Sequence, residues 1–472
     1  MIDPSSETQT TTSDEADGAV SIASIASVAP VIETPLTPDA TDAAAIAETV
    51  ARPLSNPVAT LLAPLRHRNF SLLFAGQLIS VIGDMFYSVA LPWYMLTRGG
   101  GPANLGLVLT AYGIPLMVTS LLGGWLSDRF RPRRVMLASD AIRMLIVGAI
   151  AAAIFQGHAT LVLLAALSAT LGAFDGVFLP ASSAITPDVL PDEELQAGNS
   201  LSYVWNQAAR LLGPALAGLI VARFAPGWAL AIDAATFGVS TITLALMRPR
   251  RTKTARTGAD QGRETAPVTT GAAASDTTPP VTFGRYLLGS RLLQVLFVIT
   301  LVGNFINGLA EVAIPSLAHL TLHTDATGFG ALLVAMGAGS LVGAILAGML
   351  KGRAQRGIVA VWFFTIQSFF IVGVGLATSL WFAVGSMALF GLFNGLGNVS
   401  FVTLVQRKLP RHLLGRIMGV FGFTNFALYP ISVAVSGFAV ARYGPGPVII
   451  AGAIVTLAAI SMGFVSREVR EL

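Results

Sequence analysis

No cysteine occurs among the 472 residues, which excludes a disulfide framework, thiolate metal sites, iron–sulfur clusters and a cysteine nucleophile. Histidine is almost as rare: His67, His158, His319, His323 and His412 are scattered, and no metal site is expected from them. Charged residues make up only 11% of the chain, against about 25% in a soluble domain. With 54% hydrophobic residues and a mean hydropathy of +0.71, the polar groups are too few to cover a fold in water. The formal charge of +4 is small and gives no support to a nucleic-acid partner. A phosphate-binding Gly-x-x-x-x-Gly-Lys-Ser/Thr loop is missing, as is any cofactor motif or polar catalytic cluster. Neither an enzyme nor an ATP-driven pump is expected, and no cofactor.

What is present is a succession of apolar segments. Residues 1–66 hold nine acids and only two bases, Arg52 and Arg66, show no periodicity, and read as a disordered tail. The acidic start and Pro-broken apolar patches do not resemble a cleaved secretory signal. From Phe70 onward, stretches of the roughly 20 residues needed to cross a bilayer recur. Twelve are predicted, at about 70–96, 104–127, 134–156, 160–183, 198–222, 227–247, 291–316, 327–350, 357–377, 379–404, 413–440 and 446–465. The fold class is therefore an all-α polytopic membrane protein. The break from Arg248 to Ser290 starts Arg-Pro-Arg-Arg and continues in Thr, Gly, Ala and Pro; it reads as a linker, 248–290, between six-helix halves at 67–247 and 291–466.

Of the 29 Lys and Arg residues, 24 fall on the side of the tail and linker, three (Arg98, Arg223, Arg442) on the other, and two within spans. This bias predicts cytoplasmic termini, including residues 467–472. An internal repeat supports the division: at an offset of 219 residues, Leu190-Pro191 maps onto Leu409-Pro410, Leu201 onto Val420 and Gly218 onto Gly437. Parallel repeats of six helices imply a binding site between the halves near the midplane.

Between the second and third spans stands Gly123-Gly124-Trp-Leu-Ser-Asp128-Arg129-Phe-Arg131-Pro132-Arg133-Arg134. It resembles the loop signature of the major facilitator superfamily, with Gly124, Asp128, Arg129, Arg133 and Arg134 in matching roles and Arg131-Pro132 in place of the usual Gly-Arg turn. The second-half counterpart, from Gly348, has Gly352 where the acid would be. Positive-inside charge accounts for the arginines but not for Asp128, so the loop is read as a polar network that biases one of two rocking states. The fifth span contains Gly213-Pro214-x-x-x-Gly218, similar to the signature of drug:proton antiporters of this superfamily. The first span, Ile82 to Trp93, is similar to that of the exporter branch that includes enterobactin-type siderophore and macrolide efflux proteins. The resemblance covers about residues 66–466. It implies a monomer in a bacterial cytoplasmic membrane, with a small-molecule substrate and protons as coupling ion. The alternative is a lysolipid flippase or an uncoupled facilitator of the same fold.

Away from their ends, the predicted spans hold seven charged residues: Asp84, Asp140, Arg143, Asp175, Arg210, Asp233 and Glu311. Each costs about 2.5–3.5 kcal/mol at a helix centre by insertion scales, so each needs a partner, water or a function. Asp84 and Arg210 stand at similar depth in spans one and five, and a pair between them is expected. The resemblance places spans one, four, seven and ten around a central cavity, which puts Asp84, Asp175 and Glu311 along it. Asp140 and Arg143, three apart, read as a local pair in span three, and Asp233 as structural. Tyr87, Asn394 and Asn398 complete the candidate substrate and proton pathway, with Asn304, Asn307, Asn425 and Tyr429 as further polar groups at depth. Gly337-x-Gly339-x-x-x-Gly343 reads as close helix packing.

Overall fold

The computed structural model describes residues 57–248, 291–350, 357–408, 424 and 426–465. Residues 1–56, 249–290, 351–356, 409–423, Asn425 and 466–472 lie outside the described residues. The last part of the expected disordered tail does not: Pro57–Leu62 and Ala63–Arg66 are helical, and Pro64 is buried. The chain divides into units at 1–57 and 58–472, and the second contains everything that follows. Its helices are α1 (Arg68–Thr97), α2 (Pro102–Phe130), α3 (Pro132–Phe155), α4 (Leu161–Ala184), α5 (Leu195–Phe224), α6 (Pro226–Leu246), α7 (Arg291–Ser316), α8 (Ala326–Met349), α9 (Gly357–Gly375), α10 (Leu380–Lys408), α11 (Tyr429–Tyr443) and α12 (Pro445–Val465). Each falls on one of the predicted spans, and no strand occurs among the described residues.

Local chemistry sets the helix ends. Pro102, Pro132 and Pro226 open α2, α3 and α6 at the first turn, where a missing N–H costs nothing. The Asp325 carboxylate accepts from the N–H groups of Thr327 and Gly328, at 3.1 and 3.2 Å, and caps α8. Ten of the helices are individually long and apolar enough to cross a membrane. The two that are not have separate reasons. α11 spans 15 residues, and α5 carries Asn199, Ser202, Asn206 and Arg210 at helical spacing toward an internal cavity. Large apolar side chains such as Trp381, Phe438 and Val162 remain more than 70% exposed. On a helix bundle of this composition they form a surface solvated by acyl chains and not by water. This is a multi-pass membrane protein.

Packing follows a rule: adding six to each helix number maps one neighbouring pair onto another. The α2–α4, α1–α6, α3–α6 and α1–α5 pairs correspond to α8–α10, α7–α12, α9–α12 and α7–α11. The pairs linking the first six helices to the last six, α2–α11 and α5–α8, likewise exchange. The repeat that puts Gly218 opposite Gly437 has a direct structural expression here. Gly218 lies against Ala326 and Gly330 of α8, while Gly437 lies against Pro102 and Gly106 of α2. A Cβ at Gly218 would sit 2.6 Å from the Ala326 carbonyl oxygen, and one at Gly437 2.7 Å from the Gly106 Cα. Only glycine permits backbones to approach so closely. Gly339 and Gly343 pack similarly on the backbone of Ala388 and Leu392 in α10, as the spacing predicts.

Candidate functional site

A cavity of about 700 Å³ extends from the end of the bundle where α1 begins, at Phe70 and Asn199, to Glu311 and Tyr429. The glycine contacts of α2–α11 and α5–α8 lie toward the opposite end, where α1 finishes and α8 starts. Trp93 also closes on that end, edge-on to His319 at 5.4 Å and stacked with Phe329 at 6.5 Å. The cavity is thus blocked at one end of the bundle.

Arg143 forms the centre of its polar wall. The side chain is 6% exposed and its guanidinium meets three carboxylates: Asp175 at 2.5 Å, Asp140 at 3.0 Å and Asp84 at 3.3 Å. Phe237 and Phe178 each hold a ring against it, 4.1 and 4.8 Å from the guanidinium carbon. The planar, weakly hydrated guanidinium suits this place, since its edge serves the acids and its faces the rings. The acids are held in turn. Tyr112 donates to Asp175 at 2.8 Å, and Ser240 donates to Asp140 at 2.6 Å. Three acids, from α1, α3 and α4, therefore share one cation in a medium where an unpaired charge is costly, while α6 adds the Phe237 ring and the Ser240 hydroxyl.

This arrangement corrects the expected pair. Asp84 is bonded to Arg143 and not to Arg210. Arg143 stands midway along α3, at the depth of Asp84, because α3 begins at Pro132 and the tilt and stagger of helices are not readable from residue counts. The Asp140–Arg143 pair exists as the spacing predicts, but it is one arm of a larger cluster. Arg210 projects into the cavity, has no ion pair within 4.0 Å among the described residues, and acts electrostatically on Glu311 across from it and on Asp84. Tyr87 lines the cavity, its hydroxyl 3.4 Å from Ser168. Asn394 and Asn398 are not brought to this cavity: Asn398 donates to Asn394, which reaches Gln367 at 3.4 Å. Asn304 donates to Thr424 at 2.7 Å.

Residues 73–433 match the profile of the Major Facilitator Superfamily. The chain belongs to that superfamily. Over 386 residues this major facilitator is 28% identical to the multidrug efflux pump Tap of Mycobacterium tuberculosis, covering 78% of the chain and 86% of that protein. Over 379 residues it is 25% identical to the enterobactin exporter EntS of Salmonella typhi, covering 79% and 85%. Its fold is also that of a POT family transporter crystallised with a thioalcohol-conjugated peptide, with a TM-score of 0.64 at 14% identity, covering 84% of this chain and 96% of the other. The nucleoside transporter NupG gives 0.63 at 12% identity, covering 84% and 99%. The protein is a membrane transporter and not an enzyme.

The superfamily's loop residues sit at the α2–α3 junction. Arg131 itself takes a φ of 65°, a conformation that glycine at this turn adopts without strain. Arg133 donates to the carbonyls of Leu244 and Ala245, at 2.8 and 2.9 Å, and so satisfies the free end of α6. In the major facilitator's α5, Gly213 leaves room for Met85 of α1, and the Pro214 carbonyl approaches Gly330. Sequence reading missed Tyr112, Phe178 and Phe237. Only Tyr112 carried a signal, a phenol deep in an apolar span, and the two rings were indistinguishable from ordinary core residues.

Proposed function

We propose that this transporter is a proton-coupled exporter of drug-like, macrolide or siderophore-type small molecules, working by alternating access. The observation that carries the reading is a cavity blocked at one end whose wall combines aromatic surface with carboxylates sharing a single arginine. Apolar surface accepts an amphipathic cargo, and carboxylates that exchange partners can couple protonation to conformation. The similarity to Tap and EntS supports efflux. In this reading Asp84, Tyr87, Asp175, Arg210 and Glu311 contact cargo or protons. The two six-helix halves rock about the glycine contacts, and the chain acts as a monomer in the bacterial cytoplasmic membrane with cytoplasmic termini.

Deleting the gene should raise susceptibility to some members of a panel of macrolides, cationic dyes and catecholate siderophores. In inverted vesicles, export of those compounds should stop on adding a protonophore. Export that persists with the gradient collapsed would refute proton coupling and leave an uncoupled facilitator.

In the same reading the α2–α3 loop sets the balance between states. Asp128→Asn should then lower transport several-fold at unchanged expression and membrane insertion, measured by efflux assay and immunoblot. Full transport would reduce the loop to a determinant of topology.

A further inference from the structure

Asp233 of α6 belongs to no ion pair within 4.0 Å among the described residues, although it is 1% exposed and lines the cavity. Its Oδ1 lies 3.4 Å from the Thr236 hydroxyl, which donates chiefly to the Asp233 carbonyl at 2.7 Å. Its Oδ2 is buried with no hydrogen-bond partner. The carboxyl is pressed against α1 at Gly83, where an added Cβ would come within 2.5 Å of Oδ1. Charged and titratable groups act on it from three helices: Asp84 and Tyr87 on α1, Arg143 on α3, and Asp175 on α4. The one cation among them, Arg143, is already divided among three acids.

A fourth carboxylate in this place, ionised, would be an unpartnered buried anion beside other anions, which is the least tolerable electrostatic arrangement in a protein interior. Asp84 is in a different position, because its side chain is 39% exposed to the cavity and holds part of the guanidinium. We propose that Asp233, and not Asp84, carries the transported proton, held on Oδ2 in the conformation seen here. The proposal rests on the proton-coupled reading above. The proton reaches Oδ2 from cavity water. It returns to water when Arg143 leaves Asp84 or Asp175 and shifts toward α6, so that the guanidinium replaces the proton as the carboxylate's neutralising partner. Cargo that competes for Asp84 or Asp175 would thereby trigger release.

The test is difference infrared spectroscopy of the purified protein in liposomes at neutral pH, without cargo, where a protonated carboxyl is distinguished from a carboxylate by its carbonyl stretch. The wild-type protein should show a protonated-carboxyl band that Asp233→Asn removes, Asp84→Asn leaves, and Asp233→Glu restores at a shifted frequency. A band that survives Asp233→Asn overturns the assignment, as does its absence from the wild type. Should Asp233→Asn fail to fold, Asp233→Glu carries the decision, and an unshifted band overturns the assignment. Proton flux accompanying ethidium movement in proteoliposomes separates this from the reading beneath it. Ethidium movement without proton flux in the wild type overturns proton coupling and the transport role of Asp233 together, while coupled flux with a band indifferent to Asp233→Asn overturns the assignment alone.

Discussion

Arg143→Leu is expected to abolish transport and to cost about 3–5 kcal/mol of stability, the scale for removing one partner of a buried ion pair. The substitution leaves Asp84, Asp140 and Asp175 without their shared cation. Of these acids, Asp140 has no exposure with which to compensate by hydration. Leu keeps part of the apolar stem but not the guanidinium against which the rings of Phe178 and Phe237 rest, so the loss combines the missing charge with a small cavity. Arg143→Lys should recover part of the stability but little transport, because an ammonium offers a point charge in place of the fork and the flat faces. Thermal unfolding in detergent and efflux in vesicles measure the two effects. A Leu variant that melts like the wild type would show that the three acids are already neutral or that the cluster has no structural weight.

Gly437→Leu should insert normally and lose most transport. A side chain there meets the Gly106 backbone, which has no rotamer with which to yield. Overpacking costs typically about 1–3 kcal/mol, a roughly 5- to 150-fold shift in a two-state equilibrium. The cost applies only where α2 and α11 touch, so the population moves toward the state with that end open. The absence of cysteine makes the measurement simple. With Leu109→Cys as a single probe on the cavity wall, an impermeant maleimide added from the far side should label the Gly437→Leu protein faster than its parent. Unchanged labelling together with unchanged transport would show that the glycine contact is not a moving part.

Much of the architecture was legible because it depends on local quantities. The cost of exposing backbone and charge to hydrocarbon sets the length and composition of each span, so hydropathy located every long helix that the structure describes. The Gly213–Gly218 and Gly339–Gly343 spacings predicted close packing because a missing Cβ is visible in sequence. The charged site was legible only in its ingredients. All seven ionisable residues were found, yet the expected Asp84–Arg210 pair gives way to Arg143, and Asp233 gained its significance only from what surrounds it.

By itself the sequence determined the solvent of this protein, the order of its apolar segments, the internal repeat and the exclusion of cysteine and nucleotide-loop chemistry. Tertiary structure decided which acid meets which base, that Arg210 faces Glu311 across a cavity and not Asp84 in a pair, and which end of the bundle is closed. The physical reason is one of distance. Hydrophobicity is additive along a chain and can be summed residue by residue, whereas an ion pair depends on a few ångströms between helices whose tilt and stagger are set by packing against neighbours far away in sequence.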